Sequence, residues 1–564
     1  MATKVCRRAV GAVEAGALLV PRHGLVDEAP GTGADEAPTS GLGLPPPDGC
    51  ISRSFAQVEG PLRRYRRTVE VRAREDGRYL AKQVVELRVG LPWWSWLLAP
   101  PLRLSLGKLR TTRGDRMPWW GPPERLSRRA ATVLATLAAL VAVQGFVAGA
   151  LPETLTYAAS QMGAGTFAQG SVFAAVELSA LPALAALVLA DRRGRRAVVL
   201  WATGGGAVVS ELSALAPSIA WLATAQVAAG ALVAAGGIAA VVVAVEEVPR
   251  GCRAWAVGVL GMAGGLGGGV PLALLPLAGT GPGGWRWVYA LSVAALPVVV
   301  LSARRLPESQ RWEGLLAAGG TKEMGPLSSG PLSSGPLSSA TAWLGSPPGR
   351  LALVCAGAFL FAVFAAPAGQ FQTQFLRHGR HYSPLAISVL QQVTGTLGGV
   401  GVLVGGRLAD THGRRPVAAA CVAGATSATL VAYLAHGWAM WGATTFSQFF
   451  FYATAPVLGV YGAELFATSS RARSAGLVAA ASSLGAVAGL LATGALAGPL
   501  GALAPALAVL ALAPAALVVL VLVAYPESAG VALEDLSPAA AVSSRLVPPA
   551  RLGLHKLQAV SPKT

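Results

Sequence analysis

The chain has 564 residues, of which 53% are hydrophobic and 13% are charged, and its mean hydropathy is +0.54. This composition excludes an ordinary soluble protein, in which about a quarter of the residues are charged. The net charge of +18 comes largely from the tails and from short loops between apolar runs. Such a distribution follows the cytoplasmic bias of basic residues in membrane proteins and argues against a nucleic-acid-binding protein.

Cysteine and glycine patterns exclude several kinds of site. The five cysteines are scattered, with neither CxxC nor metal-ligand spacing, so we expect no metal, no cofactor and no disulfide framework. The glycine-rich run at 264–269 lies inside an apolar segment, which favours close helix packing over a dinucleotide-binding loop. The sequence has no phosphate-loop motif either, and we predict that the protein is not an enzyme.

The region before the first long apolar run has two predicted parts. Residues 1–61 are rich in Gly, Pro, Ala and acidic residues, which predicts a disordered tail. In residues 62–125, alternating segments flank an Asp-Gly pair and predict a β-hairpin. The tryptophan-rich segment 91–101 is too short to span a bilayer and predicts an interfacial anchor. Alternatively, the hairpin and this segment are the end of a small helix-grip, lipid-binding-type domain.

Twelve apolar runs approach the length of about 20 residues that a transmembrane helix needs. We therefore predict an all-α membrane protein of two pseudo-symmetric six-helix halves, 126–310 and 350–528, with the small β-hairpin-containing extension before them. A flexible linker, 311–349, joins the halves, and a tail, 529–564, follows. The predicted helices are 130–150, 168–190, 197–217, 219–245, 254–278, 286–303, 350–371, 384–405, 416–435, 438–462, 474–497 and 501–525.

Two short basic loops repeat at a fixed distance. Asp191-Arg192-Arg193-Gly194-Arg195-Arg196 is echoed 219 positions later by Asp410-Thr411-His412-Gly413-Arg414-Arg415. Pro307-Glu308-Ser309 recurs at Pro526 with the same offset. Shared offsets indicate internal duplication, which is common in secondary transporters.

Basic residues lie in alternate connections, with Arg377 and Arg380 as the exception. This alternation predicts a multi-pass protein of the cell membrane with both termini in the cytoplasm.

These motifs resemble the loop signatures of the major facilitator superfamily, over about residues 130–528, in a bacterial type of the sugar, organic-ion or metabolite:proton branch. Glu246-x-x-Pro249-x-x-x-Arg253 and Tyr461-Gly462-Ala463-Glu464 with Arg471 resemble the ends of that family's helices 4 and 10. Three positions depart from the family pattern: Leu187, Ala467 and Gln226.

The resemblance implies that Asp191 and Asp410 cap helices 11 and 5, and that the loop arginines form ion pairs that break during transport. The alternative is that these arginines only set the topology. The conformational residues assigned in this way are Asp191, Gly194, Arg195, Arg196, Asp410, Gly413, Arg414, Arg415, Glu246, Arg253, Glu464, Arg471, Glu308 and Glu527.

Polar residues inside the predicted spans are candidates for the proton or substrate path. A carboxylate in lipid is costly and normally faces a cavity, a partner or a proton path. Uncharged polar groups are as often contacts between helices as contacts to a ligand. The sequence lacks a mid-membrane Lys or Arg, which favours neutral or cationic solutes. The candidates are Glu177, Glu211, Gln144, Gln226, Gln391, Gln392, Gln448 and Tyr452.

The sequence therefore predicts a monomeric secondary transporter that moves a small organic solute by alternating access. Protons are the candidate coupling ion, the lipid bilayer is the surrounding partner, and no nucleic acid is bound. Two alternatives stay open. One is a drug-like efflux carrier, and the other is a transport-inactive receptor or sensor with the same fold.

Overall fold

The computed structural model describes residues 2–23, 25–30, 50–74, 78–106, 121–179, 181, 194–308, 347–464 and 471–527. The chain divides into two compact units. Unit 1 comprises Met1–Leu332 and Gln370–Gln392, and unit 2 comprises Ser333–Gly369 and Val393–Thr564. The predicted central linker and C-terminal tail lie almost entirely outside the described residues.

Unit 1 begins with a domain built on an antiparallel five-stranded sheet. Its strands are in the order β1-β5-β4-β3-β2. The strands and helices are β1 (Ala2–Val10), α1 (Ala12–Leu18), β2 (Asp27–Pro30), β3 (Cys50–Glu59), β4 (Leu62–Ala73), β5 (Tyr79–Val89) and α2 (Ser95–Leu106). The predicted hairpin is confirmed as β4 and β5, and its turn lies outside the described residues.

The prediction that residues 1–61 are a disordered tail is wrong for the described part of this range, and residues 31–49 lie outside the described residues. Three strands and one helix lie there, and β1 pairs with β5 along its whole length. The sequence of β1 has little apolar alternation, so its order comes from pairing with a strand about 80 positions away rather than from its own pattern. A full sheet followed by a helix is nearer to the helix-grip alternative than to a lone hairpin.

A buried ion pair ties α1, β2 and β4 together in this domain. The guanidinium of Arg67 donates to both carboxylate oxygens of Glu28, and both side chains are fully buried. Arg67 also donates to the carbonyls of Leu18 and Val20. Burial and the adjacent Glu28 charge raise the pKa of Tyr65, so its hydroxyl keeps its proton and donates to Glu28 at 2.6 Å.

Replacing Glu28 with alanine is expected to unfold the N-terminal domain, because it leaves the Arg67 charge buried and uncompensated at a cost of about 3–5 kcal/mol. Limited proteolysis of the purified protein should then cut between β1 and β5. The matched control is Glu70→Ala, which removes a half-exposed pair with Lys82 and should leave the cleavage rate near wild type. Equal protease resistance of the two variants would refute this role of the buried pair.

The tryptophan segment joins this domain to the membrane helices of unit 1. The indole N–H of Trp94 donates to the Ala135 carbonyl at 3.0 Å, whereas Trp96 is exposed. A cavity of about 340 Å³ lies beside Trp94, lined by apolar side chains of α2 and of the helices that begin at Arg128 and Arg253.

The rest of the described chain is helical. In chain order the helices are α3 (Arg128–Met162), α4 (Thr166–Leu178), α5 (Arg195–Glu211), α6 (Ile219–Glu247), α7 (Arg253–Leu274), α8 (Arg286–Ala290), α9 (Ala295–Ala303), α10 (Pro347–Gln370), α11 (Gln372–Gln374), α12 (Pro384–Gly398), α13 (Val400–His412), α14 (Arg414–Leu434), α15 (Gly437–Glu464), α16 (Arg471–Ala497), α17 (Leu503–Leu510) and α18 (Leu512–Ala524). A π-helical segment, Phe375–Gly379, follows α11.

The predicted all-α membrane fold is confirmed. Within the described ranges, ten helical segments are long and apolar enough to cross a membrane. The other two predicted spans correspond to α4, whose continuation lies outside the described residues, and to α15, which has 28 residues and is richer in polar side chains.

The predicted first helix is too short. Residues 151–167 were expected to connect two spans, but α3 continues to Met162 and ends at Gly163, which has φ +66°. Leu155, Ala158 and Ala159 are almost completely buried, and the Thr154 hydroxyl bonds to the Ala150 carbonyl. Packing therefore continues the helix beyond Pro152, and the glycine in left-handed conformation ends it.

Close glycine contacts hold the first and fifth helices of each half. In unit 1, a Cβ atom at Gly267 would overlap the Ala142 carbonyl, and one at Gly145 would overlap the Gly264 carbonyl. In unit 2, a Cβ at Gly489 on α16 would overlap the Val363 carbonyl on α10. The interpretation of the 264–269 run as a packing surface is thus confirmed.

Candidate functional site

The basic motif of unit 1 builds a capped helix start. Gly194 has φ +90°, a value that side-chain-bearing residues rarely adopt, and α5 begins at the next residue. The backbone N–H groups of Arg195 and Arg196 both donate to Glu308 Oε1 at 3.1 Å. A carboxylate there satisfies two unpaired donors and complements the partial positive charge of the helix start.

Unit 2 repeats this geometry. Gly413 has φ +91°, and the N–H groups of Arg414 and Arg415 donate to the two carboxylate oxygens of Glu527 at 2.8 and 3.1 Å. The equivalent bonds join residues 113 positions apart in both units. The local structure therefore repeats along with the sequence.

Several predicted conformational residues can now be placed. Arg195 forms an ion pair with Glu246, as the resemblance implies. Arg253 is exposed and donates to the Val245 carbonyl at 3.2 Å. Asp191 lies outside the described residues, as do the side chains of Asp410, Glu464 and Arg471.

The sequence reasoning missed Arg129. Its side chain pairs with Glu247 at 3.1 Å and donates to the Glu308 carbonyl at 3.0 Å. Its position at the start of α3, next to an acidic pair at the end of α6, was the available signal.

Replacing Glu308 with alanine is expected to lower the stability of unit 1 by about 1–2 kcal/mol, because it removes the cap of α5. Glu527→Ala should have an effect of similar size in unit 2. Glu308→Gln keeps an acceptor and should cost less than the alanine variant. Thermal unfolding in detergent, monitored by size-exclusion chromatography, measures these differences. An unchanged unfolding midpoint in both alanine variants would contradict the capping role.

A second polar cluster lies in unit 1, far along α3 from the basic motif. We call it the Glu153 cluster, and its members are Glu153 on α3, Thr373 on α11 and Gln391 on α12. The Thr373 hydroxyl donates to the Glu153 carboxylate at 2.7 Å. Among the described side chains, no basic group forms a salt bridge with Glu153. Neutral groups thus bind a carboxylate inside the helical part of the unit.

The amide of Gln391 lies against both Glu153 and Thr373. Its neighbours favour the orientation in which its nitrogen donates to the two Glu153 oxygens at 3.1 and 3.3 Å, with its oxygen 2.9 Å from the Thr373 hydroxyl. This orientation suits an ionised Glu153, which can only accept, whereas a protonated carboxyl could donate to the amide oxygen in the reverse orientation.

Glu177 lies in a similar neutral environment. Gln370, at the end of α10, donates to its carboxylate at 2.8 Å. One residue along, Phe371 packs edge to face on Phe173, with ring centroids 5.6 Å apart. Segment 370–392 thus contacts α3 and α4 through both candidate carboxylates.

The remaining predicted polar residues fall into two groups. Two are buried contacts between helices: Gln144 donates to Thr203 at 2.7 Å, and Gln226 donates to Ser213 at 2.8 Å. The other four are half-buried or exposed: Glu211, Gln392, Gln448 and Tyr452.

Glu153 was not predicted, because residues 151–167 were interpreted as a connection. The signal that could have found it is the spacing of Ala150, Thr154 and Ala158, which continues the buried face of α3 around it.

Comparison with known proteins gives one family match and several structures of similar fold. Residues 353–552 match the sequence model of the Major Facilitator Superfamily. The fold is similar to an inward-facing, unoccupied bacterial homolog of the human lysosomal transporter Spinster, with a TM-score of 0.54 and 17% identity over 70% of this chain and 95% of that one. Residues 353–552 are thus similar in sequence to the major facilitator superfamily, and the chain shares the fold of this solved transporter.

Two further major facilitator structures share the fold. The inward-open xylose transporter XylE from E. coli gives a TM-score of 0.55 at 16% identity, covering 72% of this chain and 98% of that one. A mutant of the nucleoside transporter NupG gives 0.56 at 12% identity, covering 70% and 100%. No curated protein sequence matches significantly. The family match over residues 353–552 and the ten membrane-length helices of the described ranges indicate a multi-pass membrane protein and point to a transporter rather than an enzyme.

Proposed function

We propose that this protein is a proton-coupled secondary transporter of the major facilitator superfamily that moves a small organic solute. It works as a monomer in the cell membrane, with both termini in the cytoplasm. The observation that carries the proposal is the Glu153 cluster, in which a carboxylate is bound by neutral partners that can adapt to either protonation state. An ionisable group in such a position is by default a candidate for a functional role.

Proton binding at Glu153 would change the contacts of segment 370–392. An ionised Glu153 attracts the amide nitrogen of Gln391, whereas a protonated one leaves that nitrogen to Thr373. Protonation therefore exchanges hydrogen bonds between α3 and α12, and Glu177 with Gln370 forms a second such contact. A change in these hydrogen bonds would favour one conformation of segment 370–392 over another. Coupling of proton binding to transport requires such a shift between conformations.

The capped basic motifs support alternating access. In unit 1 the motif lies near the end of α3 opposite to the Glu153 cluster, and in each unit, considered by itself, the motif places arginines beside a carboxylate. We propose that the Arg195–Glu246 pair and its counterpart in unit 2 break when the transporter changes state, with Asp191 and Asp410 taking part. Asp191→Asn should then reduce flux without reducing the amount of folded protein.

The test is flux into proteoliposomes that enclose a pH-sensitive dye. The substrate is first found by a growth or toxicity screen on a deletion strain. With an acidic exterior, adding this substrate should cause the transporter to move protons inward with it and acidify the lumen. Solute flux without proton movement would reject coupling. Solute export against its gradient would favour the drug-like efflux carrier.

The receptor alternative has one observation in its favour. Trp94 connects the N-terminal domain to α3, the helix that carries Glu153, and so offers a route by which binding could reach that domain. Saturable binding of the screened solute, with no flux in either direction, would establish the receptor and reject transport.

A further inference from the structure

Arg377, one of the two arginines that break the alternation of basic loops, lies beside a cavity of unit 1. The cavity has a volume of about 440 Å³ and lies one turn of α3 beyond Glu153. Its lining includes Tyr157, Ser160, Gln161, Gly279, Arg377 and Tyr382. Arg377 comes from the π-helical segment, and Arg380 is outside the lining.

Two donors in this lining have no partner within the described part of the chain. The Arg377 guanidinium lies over the Tyr157 ring, with Cζ 3.9 Å from the ring centroid, and its Nη1 is buried without a hydrogen bond. The Tyr157 side chain is only 5% exposed, and its hydroxyl is also unpartnered. Leaving such a group unsatisfied is costly, so the pair calls for a ligand that accepts hydrogen bonds.

The charge of the surroundings defines that ligand further. His378 lies next to Arg377 and contacts Thr156 and Ser160 through its ring nitrogens at 3.4 Å. Arg286 binds the Gln161 side chain at the edge of the same lining. The Glu153 carboxylate, one turn away, is bound to Thr373. A guanidinium and a phenol hydroxyl side by side are donors suited to a carboxylate.

The walls favour an organic acid over an inorganic anion. Ala278, Pro282 and Pro384 add apolar surface beside the two donors, and Tyr382 adds an aromatic ring. Such a surface contacts a carbon skeleton, whereas phosphate would have a single cationic side chain in the lining and would lose its hydration.

We infer that this cavity binds the carboxylate of a small organic acid through Arg377 and Tyr157. The site is separate from the Glu153 cluster, and the inference does not require that the protein transports the acid. It differs from the expectation of neutral or cationic solutes, because that expectation considered basic residues only at mid-membrane depth.

Calorimetry on the full-length protein in detergent tests the site with three probes: benzoate, its neutral isostere benzamide, and inorganic phosphate. We expect benzoate to bind at one site, with benzamide and phosphate at least roughly tenfold weaker, because benzamide lacks the charge that strengthens the hydrogen bonds and phosphate loses more hydration. Equal binding of benzoate and benzamide, tighter binding of phosphate, or no binding of benzoate would each overturn the assignment.

Variants locate the site. Arg377→Gln should weaken benzoate binding by roughly 10–100-fold, and Arg377→Lys by less, because lysine keeps the charge without the planar fork. Tyr157→Phe, which keeps the ring, should weaken it several-fold. Arg380→Gln makes the same charge change three residues away and should bind like wild type.

An Arg377→Gln variant that binds as tightly as Arg380→Gln would overturn the site. Failure of this binding site can be distinguished from failure of the proposed transport function. Benzoate binding without any flux leaves the site intact, and proton-coupled flux without benzoate binding removes only the site.

Discussion

Replacing Glu153 with glutamine is expected to abolish proton-driven accumulation while leaving solute exchange across the membrane. Glutamine has nearly the same shape and can still accept a hydrogen bond from Thr373, but it cannot gain or lose a proton. Under the proposed mechanism, a gradient of one pH unit is worth ~1.4 kcal/mol per proton and supports about tenfold accumulation. In the variant the ratio of internal to external solute should fall to about one.

The measurement uses proteoliposomes with labelled solute in two assays. Counterflow, in which labelled solute exchanges for unlabelled solute at equal pH, should persist, whereas uptake driven by an acidic exterior should stop. The rate of uptake should also lose its dependence on pH. An accumulation ratio equal to that of wild type would reject Glu153 as the proton site.

The controls are two other carboxylates of unit 1 that lie inside the predicted spans, Glu177 and Glu211. Glu177→Gln tests the second neutral pair and should reduce accumulation less, because its only described polar partner is Gln370. Glu211→Gln lies outside both clusters and should transport like wild type. If Glu177→Gln alone abolished accumulation, the coupling role would belong to Glu177, as the sequence first suggested.

Replacing Gly267 with alanine is expected to disrupt the folded protein, although the change adds one methyl group. The new Cβ would overlap the carbonyl oxygen of Ala142, so α3 and α7 would have to separate along their contact. Overpacking typically costs about 1–3 kcal/mol, and we expect the upper end or more here because the obstacle is backbone.

Gly265→Ala is the matched control on the same helix. Nothing lies within 4 Å of its added Cβ, and alanine is a better helix former than glycine by about 1 kcal/mol. Thermal unfolding in detergent should therefore show a large loss for Gly267→Ala and no loss for Gly265→Ala.

The same pair of changes can be made in unit 2. Gly489→Ala would overlap the Val363 carbonyl, whereas Gly476→Ala on the same helix meets open space. Similar unfolding midpoints for the members of either pair would show that the helices can move apart at little cost, contrary to the packing described here.

Comparison of sequence and structure shows which properties are local. The membrane fold, the repeat offset of 219 positions and the glycine surface at 264–269 were predictable from the sequence. The membrane fold follows from the length of apolar runs, and the glycine surface follows from small side chains within two helical turns. The repeat is visible when the sequence is compared with itself.

Only the tertiary structure decided which distant groups meet. Glu153 binds Thr373 across 220 positions, and the caps of α5 and α14 come from carboxylates 113 positions later. Likewise, β1 is a strand because β5 is beside it. A hydrogen bond depends on distance and direction in space, and a linear pattern of residue types carries neither until the chain has packed.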